Sequence, residues 1–104
     1  MRDKRLYRRF EVNCKVEFTA NGIIYSGITQ DLSLNGLSIK TEHQFAPDTI
    51  LYIEIELPGN KTSKIKGKVI RTIMNGVGVK IIEKDSGYLH YYSNCLLGPG
   101  TATN

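Results

Sequence analysis

The chain has few of the residues on which most enzymatic and metal chemistry depends. Its 104 residues include two cysteines and two histidines. Cys14 and Cys95 stand far apart and outside any paired spacing, so no disulfide framework is implied. With only His43 and His90 to add, the ligands for a structural or catalytic metal site are too few. No segment approaches the roughly 18 consecutive apolar residues of a membrane span. The charged N-terminus has no apolar run behind it, so it does not read as a secretory signal, and the expected location is the cytoplasm. The sequence contains no internal repeat, low-complexity tract, Walker loop or dinucleotide fingerprint, and no nucleophile–base pair or paired-carboxylate set. Gly76-Val77-Gly78 is a lone Gly-x-Gly in a hairpin, with no helix start after it to make a phosphate cradle. An enzyme is the class least supported, and neither a catalytic residue nor a cofactor is assigned.

What is present suits one small β domain. Leu, Ile, Val and Phe make up 29 residues, enough for a core. Isoleucine is the commonest of them, and β-branched residues favour sheet. The net charge of +4 lies entirely in residues 1–10, where Arg2, Lys4, Arg5, Arg8 and Arg9 face a single acid, Asp3. The other 94 residues sum to zero. Such a local cluster suits an anionic partner, phosphate above all, or is simply a solvated basic tail.

Residues 1–10 read as a basic arm with aromatic anchors at Tyr7 and Phe10. From Glu11 to Thr19 apolar and polar residues alternate strictly, with Val12, Cys14, Val16 and Phe18 on one face, which predicts a half-buried strand. Asn21-Gly22 supplies a hairpin turn, and Ile23–Thr29 forms the return strand. Leu37–Thr41 is a third strand, followed by a loop containing His43 and Pro47. Leu51, Ile53, Ile55 and Leu57 mark a fourth strand, turned at Pro58-Gly59-Asn60. Lys64, Lys66 and Lys68 alternate along the fifth, where Glu54 and Glu56 are the expected cross-strand partners. Arg71 falls in phase with Ile65 and Val69, which places it facing inward near the strand's end, either as a paired rim residue or as a ligand contact. Asn75-Gly76 turns into a sixth strand through Val77, Val79 and Ile81. From Asp85 the period changes to that of a helix, with Tyr88, Leu89, Tyr92, Cys95 and Leu96 as its apolar stripe and Gly98-Pro99 as its stop. The stripe needs something to cover, either an end of the barrel or a neighbouring subunit. The expectation is all-β: a six-stranded antiparallel barrel spanning 11–97 with a C-terminal α-helix, preceded by the 1–10 arm and followed by a flexible tail at 98–104.

The stretch Asp31-Leu-Ser33-Leu-Asn-Gly36 interrupts this pattern. Asp31 and Ser33 stand two apart, which on an extended backbone gives them one face. Gly36 allows a sharp turn or the close approach of a flat object. The first two strands form a hairpin, so the start of one and the end of the other share one end of the sheet. Arg5 and Arg9 are therefore expected beside Asp31 and Ser33.

Arg5-Leu-Tyr-Arg-Arg9 followed by Asp31-Leu-Ser33-Leu-Asn-Gly36 resembles the two-part signature of the PilZ domain. The likeness extends over almost the whole chain, including Arg71 and the Gly76-Val-Gly-Val79 strand. It implies a receptor for the bacterial second messenger cyclic di-GMP that acts on motility, adhesion or exopolysaccharide synthesis through a protein effector. Arg5 and Arg9 match the family's two arginines, and a guanidinium can bind phosphate bidentately, pair with the guanine O6/N7 edge or stack on its face. Asp31 can accept from the guanine N1–H and N2–H₂ edge, Ser33 adds a hydroxyl, and Gly36 leaves room for the backbone to approach. Lys4 occupies a position that in the family bears on whether one ligand or an intercalated pair is bound. Arg8 is a further cation beside the signature.

Two other readings compete. One is an adaptor that binds a protein through its barrel and holds nucleotide weakly or not at all. The other is a single-stranded nucleic-acid binder, which would want aromatics interleaved with the lysine stripe, where only Tyr52 stands near. The sequence leaves monomer and homodimer open.

Overall fold

The computed structural model describes residues 8–102, with side chains through Leu97. Seven strands are followed by one helix: β1 Phe10–Glu11, β2 Lys15–Ala20, β3 Ile23–Leu32, β4 Gly36–Lys40, β5 Ile50–Leu57, β6 Lys61–Ile73, β7 Gly76–Lys84 and α1 Ser86–Ala102. All pairings are antiparallel, in the order β1-β3-β2-β5-β6-β7-β4, and a further β3–β4 pairing closes strands β2 to β7 into a six-stranded barrel. β1 is an extra strand on the edge of β3.

The alternation read from the sequence gives the core. Val16 and Phe18 on β2, Leu51, Ile53 and Ile55 on β5, Ile65 and Val69 on β6, and Val77, Val79 and Ile81 on β7 are all buried. Asn21 and Gly22 both have positive φ, at 53° and 81°, which matches the twist a two-residue hairpin loop must have. Glu54 pairs with Lys64 across β5–β6, with a long ion pair of 3.9 Å. Lys66 instead lies over the ring of Tyr52, and Glu56 faces Thr62. His43 is exposed, with its ring 4.7 Å from that of Tyr25.

Four sequence expectations need correction. The first strand is broken between Glu11 and Lys15, where the buried Thr29 side chain takes over the ladder. Thr29 Oγ1 donates to the Val12 carbonyl at 2.6 Å and accepts from the Cys14 amide at 2.8 Å. The second strand runs on to Leu32, so Asp31 lies within the sheet, paired with Glu11 on one side and Ser38 on the other. The helix stripe consists of Tyr88, Tyr92 and the part-buried Tyr91 and Cys95, whereas Leu89 and Leu96 are exposed. The barrel accepts only a narrow sector of α1, and its large rings fill that sector. Finally, α1 continues past Gly98-Pro99 to Ala102, where a stop was expected. Proline's fixed φ is itself helical, so the backbone can continue across it at the loss of one hydrogen bond.

The helix packs on its own barrel. Asp85 caps it, accepting from the Tyr88 amide at 3.0 Å, and also accepts from the Lys64 amide and the Ser63 hydroxyl on β6. Burial alone would raise the Asp85 pKa, but these hydrogen bonds together bring it below the ordinary 3.8. No helix among the described residues is long and apolar enough to cross a membrane.

Candidate functional site

Arg9 and Asp31 meet at one edge of the sheet. β1 pairs with the end of β3, with Glu11 opposite Asp31 and Phe10 opposite Leu32. This brings Arg9, one residue before β1, onto Asp31, with Nη2 2.7 Å from Oδ1. Both side chains remain about one-third exposed, at 29% and 32%, so the pair is open to a ligand. Arg5 and Lys4 lie outside the described residues. Arg8 is exposed, with its guanidinium 5.3 Å from the centre of the Phe10 ring.

Ser33 reaches the site by another route than the one its spacing suggested. β3 ends at Leu32, so alternation no longer governs residue 33. A tight turn does: the Ser33 amide donates to the Gly36 carbonyl at 2.8 Å, and the hydroxyl donates to the same oxygen at 3.2 Å. Ser33 is buried, with its proton engaged, so toward a ligand its hydroxyl is an acceptor unless the turn opens. The Tyr88 hydroxyl donates to the Ser33 carbonyl at 2.6 Å and fixes the turn from below. Burial holds the Tyr88 phenol well above its usual range, so it remains a donor at neutral pH.

Gly36 leads from this turn into β4. A Cβ there would lie 3.1 Å from the Val79 carbonyl oxygen and 3.9 Å from both Arg9 Nη1 and Ser33 Oγ. Its missing side chain keeps open the space between the arginine and the turn.

Arg71 is not turned inward. The β6–β7 register slips between Val69 and Arg71, with Val69 opposite Val79 but Arg71 opposite Gly78. This bulge moves Arg71 onto the outer face, where it is exposed. The shift places Arg71 in a cross-strand row. Asp31 faces Ser38, Ser38 faces Gly78, and Gly78 faces Arg71. Directly opposed residues share a face, so the acid and the arginine bracket a floor made of a serine and a glycine. The Arg71 side chain runs over Gly78, its Cγ and Nε lying 3.4 and 3.6 Å from where a Cβ would stand. A groove of about 310 Å³ occupies this face, and its lining includes Arg9, Ser33, Gly36, Ser38, Arg71 and Lys80.

The sequence reading missed Ser38, Gly78, Lys80 and Tyr88 as parts of this site. Gly78 had a visible trace in the Gly-x-Gly pair, and the pair serves two purposes. Gly76 lets β4 come close, since a Cβ there would be 2.2 Å from the Ile39 carbonyl oxygen, while Gly78 seats Arg71. Among the described residues no group of three or more His, Cys, Asp or Glu is placed to hold a metal ion.

A comparison with protein families matches the PilZ domain over residues 3–96. The chain belongs to the PilZ domain family. Solved structures with the same fold include the Bacillus subtilis inhibitor of motility MotI/DgrA, with a TM-score of 0.75 and 16% identity over 93% of this chain. This PilZ chain spans about half of that protein, 53% of its length. The PilZ domain of CeSA from a cellulose-synthesizing bacterium has a TM-score of 0.67 and 22% identity, over 88% of this chain and 96% of its own. A comparison with curated protein sequences gave no match.

Proposed function

We propose that this PilZ domain is a receptor for cyclic di-GMP and that it acts on a protein effector. The observation that carries this reading is the partly exposed Arg9–Asp31 pair at the edge of a groove whose other rim holds Arg71. Cyclic di-GMP offers two phosphates and two guanines. Guanidinium groups match both the phosphate oxygens and the guanine O6/N7 edge, and a carboxylate accepts from guanine's N1–H and N2–H₂, where adenine has no such pair of donors. In this reading Arg9 and Asp31 share the recognition of one guanylate, with Arg5 brought in by the arm. Ser33 and Gly36 give the turn its shape and the ligand its clearance, and Arg8 and Arg71 supply further positive charge. Binding closes the arm over the groove and remodels the surface an effector reads. Control of motility, adhesion or exopolysaccharide synthesis would follow through that effector.

Titration calorimetry with cyclic di-GMP, with GMP and cyclic di-AMP as controls, tests this. Saturable, guanine-selective heat is expected, and the molar ratio counts the ligands bound. No heat from a folded protein would reject the receptor and leave the adaptor reading, which the exposed Leu89, Leu96 and Leu97 on α1 favour as a protein contact.

A further inference from the structure

Lys80 belongs to the same groove but to neither half of the signature. On β7 it stands two residues after Gly78 and therefore shares the outer face. Its cross-strand neighbours are Gly36 on β4 and Lys68 on β6. Because Gly36 has no side chain, nothing on that strand stands between the Lys80 ammonium and the space above the Ser33–Gly36 turn. On β6, Lys64 pairs with Glu54, Lys68 with Asp48 at 3.7 Å, and Lys66 lies over Tyr52, while Lys15, Lys40 and Lys61 lie outside the groove lining. Lys84 donates to Asn35 Oδ1 at 3.4 Å. Lys80 has no carboxylate within ion-pair distance among the described residues, and neither does Arg71. The groove lining holds three cations, Arg9, Arg71 and Lys80, and no acid, with Asp31 just beyond it already engaged by Arg9.

Two uncompensated cations on one rim repel each other across a sheet, and a bound anion relieves the repulsion. The two are also chemically different. Arg71 lies along the floor over Gly78, so its guanidinium is suited to a planar partner. The lysine ammonium is a compact, rotatable point charge suited to phosphate. We infer that Lys80 contacts a phosphate of the ligand on the rim opposite Arg9, so that the groove neutralises a dianion from both sides. This inference rests on the receptor reading and adds to it a residue that determines affinity for the second negative charge.

The test compares wild type, Lys80→Gln, Lys80→Arg and Lys66→Gln for cyclic di-GMP binding at 50, 150 and 400 mM NaCl. Lys80→Gln should bind about five- to tenfold more weakly at low salt, the scale of one partly solvated charge contact. Its affinity should also fall less steeply with salt than that of wild type. Lys80→Arg should restore both, and Lys66→Gln, which removes a lysine remote from the groove, should change neither. Wild-type and Lys80→Gln curves that coincide at every salt concentration would overturn this inference and leave the receptor standing. A folded wild type that fails to bind cyclic di-GMP would overturn both.

Discussion

Arg9 Nη2 sits 2.7 Å from Asp31 Oδ1, although 22 residues separate the two in the chain. The short strand β1 brings this about, because its pairing of Glu11 with Asp31 fixes where the preceding residue can reach. A partly exposed ion pair of this kind contributes little to folding, about 0–1 kcal/mol, and its value lies in presenting a donor fork and an acceptor side by side.

Arg9→Ala and Asp31→Ala should therefore separate binding from stability. Each removes hydrogen bonds involving a charged group, worth about 1.5–3 kcal/mol, so cyclic di-GMP affinity should fall about 10- to 150-fold. The melting temperature should drop by no more than about 8 °C. Calorimetry and thermal melts by circular dichroism read the two effects. Unchanged affinity in both variants would remove these residues from the site.

Tyr88→Phe should be felt at the ligand even though the ring is buried beneath it. The substitution keeps the packing and removes the donor to the Ser33 carbonyl. A loss of about 1–2 kcal/mol of stability in urea is expected from the buried acceptor left unpaired. Affinity should also weaken, because the Ser33–Gly36 turn loses its support. A Tyr88→Phe protein with wild-type affinity would show that the turn holds itself.

Gly76→Ala and Gly78→Ala should differ sharply despite their nearness. At Gly76 a methyl group would press within 2.2 Å of the Ile39 carbonyl oxygen, so β4 must move away from β7. A loss of about 3 kcal/mol or more is expected, the upper part of the overpacking range. At Gly78 the nearest atom is Arg71 Cγ at 3.4 Å, the flexible part of a side chain, so the fold should survive and Arg71 should shift. Chemical denaturation ranks the two, and equal destabilisation would contradict this account of the strand contacts.

Asp85 should make the barrel acid-sensitive. Its folded pKa lies below the ordinary 3.8, because three amides and the Ser63 hydroxyl favour the carboxylate more than burial opposes it. The unfolded chain therefore takes up the proton first as pH falls. The stabilisation is complete above the unfolded value and is lost as pH falls from about 3.8 through the lower folded value. Asp85→Asn should cost about 1 kcal/mol at pH 7, because the bonds from the Ser63 hydroxyl and the Lys64 and Tyr88 amides lose their charged acceptor, and it should flatten the acid limb of the stability curve. An acid limb of unchanged steepness in the variant would assign the sensitivity to other carboxylates.

Much of this arrangement is legible in the sequence because it depends on local rules. Alternation on β2, β5 and β7 marks the inward residues, Asn21-Gly22 marks a hairpin, and the hairpin puts residue 9 at the same end of the sheet as residue 31, where the pairing of β1 with β3 completes the approach. The features that escape the sequence are those that tertiary contacts decide. The bulge after Val69 reverses the face of Arg71 without any marker in composition, because the extra residue is absorbed where Gly78 allows it. Thr29 looks like one more β-branched strand residue, yet its hydroxyl interrupts the opposite strand. Leu89 and Leu96 share the period of the apolar stripe, but the three tyrosines of α1 occupy the limited width of the barrel opening.

The last helix holds both segments of the candidate site. Tyr88 bonds to the Ser33 carbonyl, and Tyr92 bonds to the Arg8 carbonyl at 2.8 Å while its ring packs on Phe10. Lifting α1 from the barrel therefore breaks a bond to each segment at once. Any molecule that grips the site when it is assembled must tighten the seating of the helix, and any molecule that pulls on the helix must weaken the hold on the ligand by the same factor. Thermodynamic linkage thus makes the exposed side of α1, with Leu89 and Leu96, a lever on the groove.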